Sequence, residues 1–274
     1  MTTTLRPTEP LQRAADGALS RHYQVCVNSR PVGAVHLSTS PSFGPGVAVI
    51  EGLRIEEPDR GRGRATVAAL AAEEVARGWG CRRIDIRVPA DASAALRMAT
   101  ALGYVHRNRG MEKALGPALV PLPEGSLGRP MTEAEYDAWQ RHALADYARD
   151  WQERGVPEAE ALAKARRDHE RELPQGRATP NMRFSVLEHD GVPVGRLWLA
   201  LAGDKAFVFD VEADEAFRGR GHGRSLMLLA ETQAFDAGIR VLGLNVFAGN
   251  TPAERLYESL GYVPVGYSMY KALI

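Results

Sequence analysis

Two carboxylates in the second half of the sequence have the residue types and spacing for acid–base chemistry. Asp210 and Glu212 alternate with apolar residues in a run that predicts a strand, so both would lie on one face of that strand. Carboxylates in such a place can bind a cationic amine or take its proton through a water molecule. A solvent-facing side of the strand is the alternative interpretation of the same pair.

A glycine-rich run, Arg218-Gly-Arg-Gly-His-Gly223, follows this predicted strand and precedes a predicted helix over 224–237. Glycines at 219, 221 and 223 are expected to adopt positive φ and to let the backbone approach a ligand. The N–H groups freed at the helix start, with the helix dipole behind them, then favour a phosphate. His222 is expected to be a spacer that faces solvent.

The spacing of this run excludes two common phosphate-binding loops. Gly-Lys-Ser/Thr of a nucleotide kinase loop is absent, and the third glycine of a dinucleotide fingerprint is missing at its required spacing. The run does match the Q/R-x-x-G-x-G/A pattern of the GNAT family of N-acetyltransferases through Arg218, Gly221 and Gly223. Downstream, Asn245, Asn250 and the run 256–262 resemble the second motif of that family. The resemblance covers residues 131–274.

The resemblance implies a fold, a cofactor and a set of site residues. It implies an α/β (α+β) protein with a mixed, mostly antiparallel central sheet flanked by helices, and acetyl-CoA as the acetyl donor. Tyr257 stands where the family has its general-acid tyrosine, although a tyrosine packed in the core is the alternative, and Asn250 is similar to a cofactor-contacting asparagine. The expected catalytic residues are Tyr257, Glu212 and Asp210, and the expected cofactor-binding residues are Val211, Ala213, Arg218, Gly219, Arg220, Gly221, His222, Gly223, Arg224, Asn250 and Tyr257.

The same order of elements occurs in the first half, and residues 60–115 align without a gap with residues 218–273. Shifting the chain by 158 residues places Arg60 on Arg218 and Gly63 on Gly221. The same shift places Leu102-Gly-Tyr-Val105 on Leu260-Gly-Tyr-Val263, and Lys113-Ala-Leu115 on Lys271-Ala-Leu273. The sequence therefore predicts a tandem duplication of one fold.

The composition of the chain places the boundary between the two copies at a Pro- and Gly-rich stretch. We predict a degenerate GNAT-like domain over 1–116, a linker over 117–130 and a catalytic GNAT domain over 131–274. Residues 1–20 are weakly patterned and are expected to be partly ordered at most. In the second half, Thr132 and Glu135 form a predicted capping box, and Thr251 is the predicted N-cap of the last helix. The aromatic residues at helical spacing, expected either in the core or over an acceptor pocket with Tyr267 and Tyr270, are Tyr136, Trp139, Tyr147 and Trp151.

The first half lacks the residues that the second half would use for catalysis. The shift by 158 residues puts Ala99 opposite Tyr257, and Gly52 and Arg54 opposite the two carboxylates. We therefore expect the second half to be the catalyst and the first half a scaffold. Three arginines of the first half could still bind CoA phosphates: Arg60, Arg62 and Arg64.

The charge and the composition bear on partners and location. The chain has 34 Lys+Arg and 34 Asp+Glu, so no net field gathers nucleic acid or an anionic membrane. Two cysteines, Cys26 and Cys81, are expected to be reduced and buried, and the seven scattered histidines predict no metal site. Without a signal peptide or a long apolar run, the expected location is the cytoplasm, with no membrane contact, as a monomer or homodimer.

These observations predict an acetyl-CoA-dependent N-acetyltransferase that acts on the primary amine of a small molecule by direct attack on the thioester. If both carboxylates line the pocket, the acceptor is a cationic amine such as an amino sugar, a polyamine or an amino acid. Two alternatives stay open: acetylation of protein N-termini or lysines, and a CoA-binding regulatory module without turnover.

Overall fold

The computed structural model describes residues 2–273. The first half alternates strands with two helices as the repeat predicts. Its elements are β1 (Thr3–Pro7), β2 (Gln12–Arg13), β3 (Leu19–Val27), β4 (Arg30–Ser40), β5 (Gly44–Ile55), α1 (Arg64–Gly78), β6 (Arg83–Pro89), α2 (Ser93–Ala101) and β7 (Val105–Ala114).

The second half adds a strand and two long helices before the same series of elements. Its elements are β8 (Ser126–Pro130), α3 (Glu133–Glu153), α4 (Glu158–Glu172), β9 (Met182–His189), β10 (Val192–Ala202), β11 (Lys205–Ala213), α5 (His222–Asp236), β12 (Val241–Phe247), α6 (Thr251–Ser259) and β13 (Val263–Ala272). Within residues 2–273, none of the helices combines the length and the hydrophobicity that a membrane span requires.

The chain forms two compact units that do not coincide with the two sequence repeats. Unit 1 contains the chain up to Arg109 together with the last strand from Gly266, and unit 2 contains Gly110–Val265. The predicted sequential domains over 1–116 and 131–274 therefore differ from the observed units, because the end of the last strand of each repeat belongs to the unit formed by the other: β7 from Gly110 and β13 from Gly266.

Unit 1 is built on a mostly antiparallel sheet in the strand order β1-β3-β4-β5-β6-β13. β5 and β6 run parallel over Val47–Ile50, and β6 pairs antiparallel with β13 from Arg83 to Pro89. α1 and α2 bury small residues such as Ala72 and Ala99 against this sheet, so the helices approach it closely.

Unit 2 repeats this plan with its own sheet, in the order β8-β9-β10-β11-β12-β7, to which β7 contributes Gly110–Ala114. β9 and β10 form the predicted hairpin around Asp190-Gly191, both in the left-handed region with φ of 50° and 75°. α5 lies in the core of this unit, where Leu226, Met227 and Ala230 are fully buried. These two sheets with their flanking helices confirm the predicted fold class.

A buried ion pair marks the exchanged strand in each unit. In unit 2, Lys113 of β7 donates to Glu231 of α5 at 2.7 Å, and Tyr262 Oη donates to the same carboxylate at 3.2 Å. In unit 1, Lys271 of β13 donates to Glu73 of α1 at 2.6 Å. The two glutamates occupy equivalent positions, because a shift of 158 residues relates them. Each is paired with the lysine from the last strand of the other repeat.

Some expectations about local structure need correction. Residues 1–20 contain β1, which pairs with β3 from Thr3 to Pro7, because alternate residues of this strand pack on the sheet despite their weak pattern. The predicted linker contains β8, which extends the sheet of unit 2 by pairing with β9. The capping box of Thr132 and Glu135 and the free, buried state of both cysteines are confirmed.

Candidate active site

The site begins where two neighbouring parallel strands of unit 2 stop pairing. β11 and β12 are in register only over Ala206–Val208 and Leu242–Leu244. On its other side β11 stays paired with β10 as far as Ala213, but Phe209 is an extra residue between the pairs Trp198–Asp210 and Leu199–Val208. A bulge of this kind bends a strand and increases its twist. Beyond it, no strand within residues 2–273 pairs with the edge of β11 that faced β12.

The bulge also decides where the two predicted carboxylates point. Val208 and Val211 contact the core around α5, whereas Asp210 accepts a hydrogen bond from Trp139 Nε1 of α3 at 2.8 Å. Both carboxylates therefore lie on the face of the sheet that α3 covers. Burial raises the pKa of the Asp210 carboxyl above its usual range, and the Trp139 hydrogen bond only partly offsets this effect.

Glu212 lies on the same face of the sheet, and its negative charge is also poorly solvated. Burial, and then the negative charge of Asp210, raise the pKa of Glu212 above its ordinary value. Arg196, the cross-strand neighbour of Glu212, donates a hydrogen bond to Asp214 at 2.7 Å. A guanidinium nitrogen of Arg218 lies 3.6 Å from Glu212 Oε1. A carboxylate with a raised pKa near a cleft has the properties of a general base.

Helix α3 brings two further polar side chains to these carboxylates. His142 Nε2 lies 2.7 Å from Asp146 Oδ2, one helical turn away. Ligand atoms of His142, Asp146 and Glu212 all lie within 4.8 Å of one another. We call His142, Asp146, Asp210 and Glu212 the α3–β11 cluster. It joins three carboxylates and one imidazole on one side of β11.

Tyr257 enters the same region from α6. Its ring is buried in the core of unit 2, with an exposed fraction of 6%. Burial and the nearby charge of Asp210 raise the pKa of Tyr257 to about 12, so its hydroxyl is protonated at neutral pH. Within the described part of the chain, that hydroxyl makes no hydrogen bond to the protein. Tyr257 can therefore donate its proton to a leaving group.

The glycine-rich run lies at the end of β11 and presents a row of backbone donors. Gly219 and Gly221 have φ of 77° and 89°, as predicted. Among residues 2–273, no acceptor meets the N–H groups of residues 219–223, whereas Arg224 N–H already donates to the Gly221 carbonyl. Because α5 begins at His222, these donors coincide with the positive end of the helix dipole.

Two details of the loop differ from expectation. Gly223 is helical. A Cβ there would lie 3.3 Å from Leu256 Cδ2, so the absence of a side chain lets α6 approach α5 closely. His222 is buried, and it does not face solvent, because it is the first residue of a helix that packs in the core. Burial lowers the pKa of His222, and the neighbouring His189 and Arg220 act in the same direction.

Asn250 has a structural role in addition to its predicted contact with the cofactor. It is the N-cap of α6, and its Oδ1 accepts the Ala253 N–H at 3.3 Å. The expected N-cap, Thr251, is instead the first helical residue. The side-chain NH₂ of Asn250 is not used by the cap, so the prediction that it contacts the cofactor stays open.

The aromatic residues predicted on α3 divide between core and site. Tyr136 and Trp139 are buried beside Phe184 and Trp198, which makes this part of the stripe core. Trp151 lies edge-on to Phe247 at the end of β12, with ring centroids 5.2 Å apart. Tyr267 and Tyr270 belong to unit 1, where they pack on His106 and Arg107.

Unit 1 retains the loop but not the reactive side chains. Gly61 and Gly63 have φ of 72° and 70°, like their counterparts in unit 2. Arg64 is buried in an ion pair with Asp59, and Arg30 donates to the same carboxylate at 2.8 Å. Arg64 is thus held within the protein and is not directed at a ligand. Ala99, opposite Tyr257, is completely buried.

Comparison with known proteins agrees with this architecture. The sequence profile of the acetyltransferase (GNAT) family matches residues 3–104 and again 136–262. An uncharacterized N-acetyltransferase of Bacillus subtilis, YdgE, is 32% identical over 149 residues, 52% of this chain and 95% of that protein. A mycothiol acetyltransferase of Thermomonospora curvata is 30% identical over 239 residues, 84% of this chain and 74% of that protein.

The solved structure of a tandem GNAT protein from the clavulanic acid biosynthesis pathway has the same fold. It aligns over 96% of this chain and 85% of its own, with a TM-score of 0.51 and 18% identity. The chain belongs to the GNAT family, a class of enzymes that typically use acetyl-CoA. It is an N-acetyltransferase with two GNAT folds in tandem.

Sequence reasoning missed His142, Asp146 and Arg196. His142 and Asp146 lie three and seven residues after Trp139, so they continue its helix face with polar residues. Polar side chains that continue the apolar face of a helix are the signal by which the sequence could have indicated these two residues. Within residues 2–273, His142, Asp146 and Glu212 are the one group of three side chains that could together hold a metal ion. His142 and Asp146 are paired with each other. The expectation of no metal site stays a prediction.

Proposed function

We propose that unit 2 transfers the acetyl group of acetyl-CoA to the primary amine of a small cationic molecule. The observation that carries this proposal is the convergence of Asp210, Glu212 and Tyr257 beside the unpaired edge of β11. Unit 1 has Gly52, Arg54 and Ala99 at the equivalent positions. Only one unit therefore carries both an acid and a base for the reaction.

The donor fits the open edge of β11 and the loop that follows it. The unpaired N–H groups of residues 219–223 are suited to a pyrophosphate. Val211 and Ala213 lie on the unpaired stretch of β11, where backbone groups can bind the pantetheine arm and the thioester oxygen. Acetyl-CoA supplies the acetyl group as a thioester. Arg218, Arg220 and Arg224 add positive charge around the phosphates.

Three carboxylates on the α3 side, Asp146, Asp210 and Glu212, favour a positively charged acceptor. The raised pKa values of Asp210 and Glu212 indicate negative charge without a full counter-charge, which an ammonium group would supply. Amino sugars, polyamines and amino acids share this chemistry.

The proposed proton transfers balance over one turnover. Glu212 takes one proton from the bound ammonium group, and the neutral amine attacks the thioester carbon. The C–S bond breaks as the amide forms, and Tyr257 gives its proton to the departing thiolate. The second amine proton returns to Tyr257 through Asp210. One proton per turnover is therefore left on Glu212 and must reach solvent.

The direct test is the Tyr257→Phe variant, assayed by CoA release with a panel of spermidine, glucosamine, lysine and an alanine-terminated peptide. We expect kcat to fall about 100-fold, the contribution typical of a general acid. The dissociation constant of acetyl-CoA should change less than about twofold, because the phenyl ring keeps the packing of the buried tyrosine. An unchanged kcat would remove Tyr257 from the mechanism.

A further inference from the structure

The proton left on Glu212 after each turnover needs a route to water. The side chain of Glu212 has an exposed fraction of 28%. An acceptor whose amine contacts this carboxylate covers part of that exposed surface. In a site closed by substrate, the proton then has to leave through protein groups or through ordered water.

The α3–β11 cluster contains such groups in sequence. Asp146 and His142 both have ligand atoms within 4.8 Å of those of Glu212. His142 Nε2 and Asp146 Oδ2 are 2.7 Å apart, a hydrogen-bond distance. The exposed fraction of the side chains rises from 26% at Asp146 to 50% at His142. Asp146 is about as covered as Glu212, and His142 is the most exposed of the three side chains.

The chemistry of these side chains suits proton transfer. Imidazole gains and loses protons near neutral pH, and a carboxylate partner fixes the orientation of its ring. Other charges face this group from each neighbouring element: Arg149 pairs with Asp146 on α3, and Asp210 and Arg196 lie on β11 and β10.

We propose that the His142–Asp146 pair carries the proton of the acceptor amine from Glu212 to solvent. The proposal rests on the function proposed above. Glu212 in its protonated form gives its proton to the Asp146–His142 pair, and the imidazolium of His142 then gives one proton to water or buffer. No bond other than those to the moving proton changes, and Glu212 returns to the carboxylate form. His142 and Asp146 are in this account positioning residues for proton transfer, and Glu212 is the group that touches the acceptor.

The test is the effect of added imidazole on the full-length His142→Gln variant, with the best acceptor from the panel. In weak buffer we expect kcat to fall about 10- to 100-fold, with the KM for acceptor changed less than about twofold. Imidazole in solution should restore kcat with saturation, because it takes over proton removal. Asp146→Asn should show the same loss, and the double variant no further loss, since both act in one route.

His22→Gln is a matched control. His22 is also a half-exposed histidine bonded to a glutamate, with Nδ1 2.8 Å from Glu9 Oε1, but it belongs to unit 1. Its kcat should equal that of the unmodified protein with and without imidazole. A loss in His142→Gln that imidazole does not restore, or no loss at all, would overturn the proposal. If the unmodified protein acetylates no amine, the proposed function itself fails.

Discussion

Asp210 is a carboxylate in a place where a negative charge is poorly solvated. Trp139 Nε1 donates a hydrogen bond to it, and its neighbours include a second carboxylate two residues along the strand. A folded-state pKa above the ordinary value means that the folded protein binds a proton more readily than the unfolded chain. Stability contributed by this group is therefore greatest at low pH and is lost as pH rises through the raised pKa.

Asp210→Asn should accordingly stabilise the protein at neutral pH while it lowers activity. Asn Oδ1 still accepts the Trp139 hydrogen bond, and the charge is removed, so we expect a gain of about 1 kcal/mol in the free energy of unfolding. Thermal unfolding at several pH values checks this prediction. The gain should vanish below the ordinary pKa of an aspartate, and a variant less stable at neutral pH would contradict the assigned burial.

The sequence predicted the residues on β11 but not their partners on α3. The alternation of Asp210 and Glu212 with apolar residues is a local pattern, and so is the position of Tyr257 after a predicted helix start. The approach of His142 and Asp146 to Glu212 depends on how α3 crosses the sheet. That crossing is set by tertiary packing of residues such as Trp139 on Trp198, which no local pattern encodes.

At the scale of elements, the position of β11 depends on its close contact with β10. A Cβ on Gly195 would lie 2.5 Å from the carbonyl oxygen of Glu212 and 2.8 Å from Leu226 Cδ1. Neither neighbour can move freely, because one is backbone and the other is packed in the core. Gly33 has the same relation to the carbonyl of Arg54 in unit 1.

Gly195→Ala should displace β11 and with it Glu212. We expect a loss of about 1–3 kcal/mol in stability, together with a lower kcat for the protein that remains folded. Gly33→Ala, its counterpart in unit 1, should lose similar stability with kcat unchanged. Calorimetric melting and kcat at a temperature well below the transition check both variants. Equal kcat values in the two would contradict the link between β11 and catalysis.

The glycine-rich loop shows what local pattern can and cannot predict about an element. Gly219 and Gly221 were predicted to turn with positive φ, and they do, because the type of residue reports the conformation directly. Gly223 has an ordinary helical conformation, and its lack of a side chain leaves room for Leu256. That requirement comes from α6, more than 30 positions downstream in the chain, so conformational reasoning about the loop could not find it.

At the scale of the whole molecule, the exchange of last strands could not be predicted from the sequence. Met111 and Lys113 have the counterparts Met269 and Lys271, so either strand offers the same side chains to either unit. The duplication was predicted from these matches. The choice between the two pairings was not, because the identical residues make both pairings locally equivalent.

The exchange predicts that core substitutions act on the unit formed by the other repeat. Met111 and Met269 are both completely buried, the first in unit 2 and the second in unit 1. Replacement of either by Ala should cost about 2–5 kcal/mol. Hydrogen exchange should show lost protection in α5 and β12 for Met111→Ala, and in α1 and β6 for Met269→Ala. The reverse distribution would contradict the observed units.

Titration calorimetry with acetyl-CoA measures which unit binds the acetyl donor, and we expect that unit to be unit 2. Three full-length proteins suffice: the unmodified chain, Gly221→Val and Gly63→Val. Both glycines have positive φ, and a Cβ on either meets no protein atom within 4 Å, so the two variants impose the same strain on equivalent loops. The added side chain would occupy the space in front of the unpaired N–H groups.

We expect one acetyl-CoA site on the unmodified chain, lost in Gly221→Val and preserved in Gly63→Val. Binding that survives in Gly221→Val and disappears in Gly63→Val would assign the donor site to unit 1 and contradict the account.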